Sequence, residues 1–201
     1  MAMLTHEYTP VSEDEYLRLE AQSPIKHEYV NGEMFAMTGS TLRHNTIALN
    51  IAAALRSHLR NTPCRAFIND VRVRVEKTHS YYYPDLLVSC ARGAQTMDLS
   101  AVTVEDPVLV IEVLSPTTES TDRREKLLAY RTLSSLSEYA LISQDEARVE
   151  IHRRRGDIGW ERIEYSGPET VELASVGLQI GMGEIYEGVT IEALMRGPGQ
   201  S

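Results

Sequence analysis

The sequence predicts an α/β (mixed α+β) fold: a central mixed β-sheet flanked by helices, with an N-terminal hairpin and a C-terminal β extension. Three observations carry this prediction. The run Val108-Leu109-Val110-Ile111-Glu112-Val113-Leu114 is rich in β-branched residues and apolar at both parities, as in a strand buried on both faces. Ile47, Ala48, Ile51, Ala52, Leu55 and Leu59 recur at helical spacing between residues 42 and 60. Residues 27–36 place Asn31-Gly32, a strong two-residue hairpin signal, between strand-like runs.

Taken in order, Ser12-Glu13-Asp14-Glu15 matches a capping box and predicts a short amphipathic helix over 13–21. In the hairpin, a two-residue turn sets Glu28 opposite Phe35 and on the face of Val30 and Glu33. The main helix follows over 42–60, with Ser40 or Thr41 as its cap. Strands are expected at 65–75 and 80–90. Within the second, Pro84 removes a ladder donor and biases Tyr83 toward extended backbone, which predicts an edge, a bulge or an irregular strand beside Asp85.

A polar loop leads to a strand over 107–114, stopped by Ser115-Pro116-Thr117-Thr118. A helix from Thr121 to residue 134 and a strand at 138–142 come next. The runs 148–152 and 160–165 alternate around Gly156-Asp157-Ile158-Gly159 like a second hairpin, and 171–189 holds short strand-like pieces and a Gly-rich turn. Arg153-Arg154-Arg155 reads as a solvated strand edge that discourages pairing, with a phosphate-contacting patch as the alternative. One domain over residues 1–195 and a frayed tail over 196–201 are expected.

With 201 residues, 42% of them hydrophobic, the chain can bury a substantial core. Its 29 acidic and 20 basic residues give a formal charge of −9, so the surface as a whole repels polyanions. That counts against a tight non-specific DNA binder. A nuclease remains open, because metal-binding carboxylates add to the negative total. Cys64 and Cys90 stand in no metal-ligand spacing, which leads us to expect two reduced thiols in a reducing compartment. No basic-then-apolar leader opens the chain and no run approaches the roughly 18 apolar residues of a membrane span, so a soluble, cytoplasmic protein without a membrane partner is expected.

Glu112 is the most informative residue. A carboxylate in a core strand costs several kcal/mol or more unless a cation, donors or a proton offset it. Asp85 is a second lone acid in a strand-like run. If the two strands are neighbours, the carboxylates converge from backbones about 5 Å apart and can share a divalent cation. The bland reading is a pair of structural acids bound to backbone amides or to Arg72 or Arg74. Asp122, Lys126 and Tyr130 follow at four-residue intervals, a polar edge on the helix leaving the Glu112 strand. His44 falls on the helical face of Ile47, Ala48 and Ile51, which points it toward the sheet.

The order helix, strand, strand with Pro84-Asp85, strand with Glu112-Val113-Leu114, helix, strand resembles the restriction endonuclease-like core of the PD-(D/E)XK nuclease superfamily. More narrowly, Glu28-Tyr29-Val30-Asn31-Gly32-Glu33, His44-Asn45, Pro84-Asp85, the segment from Glu112 to Thr118, Asp122, Lys126 and Tyr130 resemble the Uma-two family of small bacterial endonucleases. The resemblance implies a Mg²⁺- or Mn²⁺-dependent phosphodiesterase with DNA as substrate. Enzymes that cut both strands often work as two-fold dimers, so a homodimer is expected, with the second hairpin near residues 148–165 as its contact. The resemblance also implies Asp85, Glu112 and the Val113 carbonyl as metal ligands, Lys126 and Glu28 as further catalytic groups, and His44, Asp122 and Tyr130 around them. One departure stands out: Leu114 occupies the strand position where the superfamily motif has lysine, and the resemblance relocates that ammonium to Lys126 on the helix.

Two other function classes compete. A nuclease fold kept for protein binding or assembly would have its two acids satisfied by protein donors and Lys126 in solvent. A serine or cysteine hydrolase has little support, since no Gly-x-Ser-x-Gly elbow occurs and neither cysteine has a histidine nearby in sequence.

Overall fold

A computed structural model describes residues 10–91, 93 and 96–191. The chain opens with helix α1 (Glu13–Glu20), whose cap Ser12 accepts from the Glu15 amide at 3.2 Å. Glu15 does not complete the reciprocal half of the capping box. Its carboxylate turns to Arg18 instead. Strands β1 (His27–Val30) and β2 (Glu33–Ala36) form the expected hairpin, with Glu28 opposite Phe35. Asn31 and Gly32 both take positive φ, 44° and 99°, as a type I′ turn requires. A Cβ on Gly32 would lie 2.6 Å from Pro10 Cβ, so this glycine is fixed by contact as well as by dihedral.

Helix α2 (Leu42–His58) is capped by Thr41. The two strands expected at 65–75 and 80–90 are four: β3 (Cys64–Ile68), β4 (Arg72–Val75), β5 (Ser80–Tyr82) and β6 (Leu86–Cys90). The breaks fall at Asn69, with φ of 50°, and at Tyr83-Pro84. At each break the chain passes from one sheet to another. Then come β7 (Thr103–Val104) and β8 (Pro107–Leu114), the latter with its expected bounds.

The helix expected over 121–134 is a composite: α3 (Glu119–Thr121), a π-turn (Asp122–Lys126) and α4 (Leu127–Arg131). It connects β8 to the parallel strand β9 (Glu138–Ser143). The second hairpin is β10 (Arg148–Arg154) with β11 (Trp160–Ser166). The C-terminal extension comprises β12 (Thr170–Leu173), β13 (Leu178–Gly181) and a short helix α5 (Met182–Ile185), where short strands and a turn were expected. The tail expected over 196–201 lies outside the described residues.

Among the described residues a six-stranded mixed sheet runs β11-β10-β9-β8-β6-β3 and a five-stranded one runs β2-β1-β5-β4-β7. On one face of the larger sheet, Ile47, Ile51 and Leu55 of α2 pack with Leu109, Ile111 and Val113 and with the β12–β13 extension. On the other face, Val110, Leu114 and Tyr139 meet Tyr130 of α4 and Val73, Val75 and Tyr82 of the smaller sheet. A tyrosine cluster, Tyr16, Tyr29 and Tyr81, seats α1 on that smaller sheet. No helix among the described residues is long and apolar enough to cross a membrane.

Two expectations are corrected. Cys64 and Cys90 are directly opposite in the β3–β6 register and form a disulfide, in place of two reduced thiols. Nor is the arginine triplet a solvated edge, because β10 lies between β9 and β11. Arg153 is buried against Glu138 and Glu172, Arg154 lies 4.5 Å from the Trp160 ring and donates to the Leu133 and Leu136 carbonyls, and Arg155 pairs with Glu161.

The disulfide closes a 26-residue separation. Reducing it, or making Cys64→Ser with Cys90→Ser, is expected to lower unfolding free energy by about 3 kcal/mol. Thermal melts with and without reductant check this, and superimposable melts contradict it.

Candidate active site

The β6–β8 register, with Leu86 opposite Ile111, brings Asp85 level with Glu112 one residue before β6 begins. The two acids interlock through each other's backbone. The Asp85 amide donates to Glu112 Oε2 at 3.2 Å, and the Val113 amide donates to Asp85 Oδ2 at 2.7 Å. Arg72 and Arg74, the alternative structural partners, turn elsewhere: Arg72 to Thr103 and Tyr83, Arg74 to Glu13 and Glu105.

Lys126 meets these acids from the helical side. Glu112 and Leu114 project from the same face of β8, and Leu114 is buried in the apolar layer there. The ammonium comes down onto that face from the π-turn. Its Nζ lies 2.9 Å from Glu28 Oε1, 3.1 Å from Glu112 Oε1 and 3.2 Å from Asp122 Oδ1. A π-turn carries one more residue than an α-turn and recurs at functional sites. The Tyr139 hydroxyl donates to the Asp122 carbonyl at 3.1 Å and so ties the turn to β9. Of the two marks of a degenerate site, the acids do rest on protein donors, but Lys126 is only 6% exposed and does not point into solvent.

Glu28 belongs to the other sheet. It also accepts from the Tyr83 amide at 3.2 Å, just where the chain leaves β5 for β6. Tyr82 places its ring 5.7 Å from Lys126 Nζ. Neither the Tyr83 amide nor the Tyr82 ring was identified from sequence, where the only signal is an aromatic run ahead of Pro84.

Burial pushes the Glu112 carboxyl well above the usual carboxylate range, against the pull of Lys126 and with Asp122, Asp85 and Glu28 adding to the rise. Burial works against the charge on Lys126, but Glu112, Glu28 and Asp122 outweigh it and hold the ammonium protonated. His44 Nε2 lies 3.2 Å from Asp85 Oδ2. Desolvation pulls this imidazole down, while Asp85 and the main chain of Val113 raise it above its ordinary value. Tyr130 is fully buried beside the cluster with its hydroxyl unpartnered among the described residues, and burial and Glu112 keep it protonated.

The acids, Lys126 and His44 open onto a cleft of about 550 Å³. One wall is the β2–α2 segment with Phe35, Met37 and Thr41, and the other is the Ser115–Thr118 turn. Asp85, Glu112, Lys126, Glu28, His44 and Asp122 all line it, and Tyr130 lies behind Lys126 in the core.

No group of three or more His, Cys, Asp or Glu side chains set to hold a metal ion occurs among the described residues. The donor set that fits a hard cation is smaller. Asp85 Oδ2 and both Glu112 oxygens already accept hydrogen bonds. Two carboxylates and a carbonyl suit an ion that keeps several waters.

Two interlocked strand acids and a buried lysine thus sit in a mixed sheet beside a β8–helix–β9 crossover. The profile of the Uma2 family, described as "Putative restriction endonuclease", matches residues 13–183, and the chain belongs to that family. It is 30% identical over 182 residues to the uncharacterized protein slr1290 of Synechocystis sp., covering 90% of this chain and 94% of that one. A second Synechocystis protein, the uncharacterized sll1609, is 34% identical over 159 residues, 79% of this chain and 89% of that one. The fold is shared with the crystal structure of "a putative nuclease belonging to DUF820" from Anabaena variabilis, with a TM-score of 0.72, 21% identity, and coverage of 88% of this chain and 98% of that one.

Removing Lys126 strands three acids with no cation. Lys126→Met is expected to cost about 3–5 kcal/mol of stability, and adding Glu112→Gln to recover part of it. Denaturant unfolding of both variants checks this, and a Lys126→Met cost below about 1 kcal/mol contradicts it.

Proposed function

We propose that the protein is a Mg²⁺- or Mn²⁺-dependent phosphodiesterase that cuts DNA, with residues 1–195 as one nuclease unit that works as a homodimer. The observation that carries the reading is the contact of a buried, charged Lys126 with Glu112, itself interlocked with Asp85. Such a cluster is costly as mere structure, because a buried ion pair seldom outperforms apolar packing. Family membership points to the same chemistry.

Asp85, Glu112 and the Val113 carbonyl would hold the cation. When bound, it supplies Lewis acidity, lowering the pKa of a water and neutralising charge on the phosphate. Lys126 orients the attacking water or stabilises the charge that builds on the phosphoryl oxygens, and Glu28 and Asp122 keep its ammonium charged and fixed for that task. His44 engages Asp85 and so stands beside the reacting centre, where a substrate oxygen would lie.

The test is a cleavage assay on plasmid and oligonucleotide DNA with Mg²⁺, with Mn²⁺ and with EDTA. Cleavage is expected with either ion and none with EDTA. Asp85→Ala and Glu112→Ala should fall to background, and Lys126→Ala should lose about a hundredfold or more. Equal cleavage by all four proteins sinks the proposal.

A further inference from the structure

Phe35 is the feature of the cleft that metal-assisted cleavage does not use. The β1–β2 register sets it directly across from Glu28, so the ring and the carboxylate that touches Lys126 leave the hairpin on one face. The ring is 48% exposed. Phe35 lines the main cleft and also a smaller hollow of about 170 Å³ shared with Val30, Thr121 and Glu125. Lone exposed apolar residues are ordinary. This one is the exposed aromatic among the described residues, and it stands at the catalytic cluster.

The charges of the cleft say what such a ring is for. Glu28, Asp85, Glu112 and Asp122 face only two basic side chains, His44 and Lys126, and both are already bonded to those acids. No arginine lines the cleft among the described residues. Duplex binding draws its affinity from Lys and Arg set along the phosphates, and this cleft offers none to spare. Stacking a base on an aromatic face needs no charge, but it needs a base that is out of its pair. Neutral hydroxyls of Ser115, Thr117 and Thr118 on the opposite wall suit a sugar–phosphate chain.

We propose that Phe35 is a stacking platform for an unpaired base, which makes the preferred substrate a single-stranded or locally unpaired nucleic acid. This rests on the phosphodiesterase reading and narrows its substrate class. The ring positions a nucleotide so that the adjoining phosphate reaches the acids; it takes no part in the chemistry.

The test uses 2-aminopurine, whose fluorescence is quenched on stacking, within a short DNA strand, the same RNA strand and the matching DNA duplex, titrated with the intact protein in Ca²⁺. Quenching is expected with at least one single strand, bound about tenfold or more tightly than the duplex. Phe35→Ala should weaken that binding about five- to a hundredfold, the range a stacked base is worth, and Phe35→Trp should restore it. Because Phe35 is exposed, both variants should keep the parent's melting temperature. Duplex binding as tight as single-strand binding, unchanged affinity in Phe35→Ala, or no quenching overturns the platform. A strand that is bound and quenched yet never cut in Mg²⁺ or Mn²⁺ removes the phosphodiesterase reading and leaves the platform. A duplex that is cut while single strands stay unbound does the reverse.

Discussion

One ammonium holds this site together. Lys126 reaches carboxylates from three separate elements: Glu28 on β1, Glu112 on β8 and Asp122 in its own turn. Burying any one of these acids alone would cost several kcal/mol, and burying them together is tolerable only because a cation is shared among them. The arrangement also joins the two sheets, since Glu28 comes from the smaller and Glu112 from the larger. An apolar lining of similar volume would serve stability at least as well. What the ionic version provides is a fixed charge at the floor of a cleft.

The position of that cleft follows from how the chain changes sheets. Tyr83 and Pro84 carry it out of β5 and into β6, and at that crossing the Tyr83 amide is spent on Glu28 while the Asp85 amide is spent on Glu112. Pro84 has no N–H and needs no acceptor there, so the irregular backbone leaves no amide stranded at that residue. His44, at the start of α2, closes on Asp85 from the side of the β2–α2 segment. The result is a floor of acids with their partners in place, one wall with an exposed aromatic and another of hydroxyls.

Much of this was legible in the sequence wherever a local rule applied. The 107–114 run matches β8, the helical spacing of Ile47, Ile51 and Leu55 matches α2, and Asn31-Gly32 fixed the register that faces Glu28 with Phe35. The two lone acids in apolar runs converge on the condition that their strands are neighbours, and the β6–β8 pairing meets that condition. What local rules miss is partnership across distance. Sheet membership divided two expected strands into four, because β4 and β5 pair with each other while β3 and β6 pair elsewhere. Cys64 and Cys90 meet only through that register. Arg153 found Glu138 and Glu172, which no spacing rule connects to it. The π-turn is invisible to a four-residue periodicity, although its Asp122 and Lys126 still meet.

The central claim is that Asp85 and Glu112 take up a divalent cation beside a charged lysine. Soaking crystals in Mn²⁺ and collecting anomalous diffraction measures this directly. The account predicts a peak within about 2.5 Å of oxygens from both carboxylates, with the Lys126 ammonium still on Glu112. A dry pair, with His44 on Asp85 and no peak at saturating Mn²⁺, contradicts it.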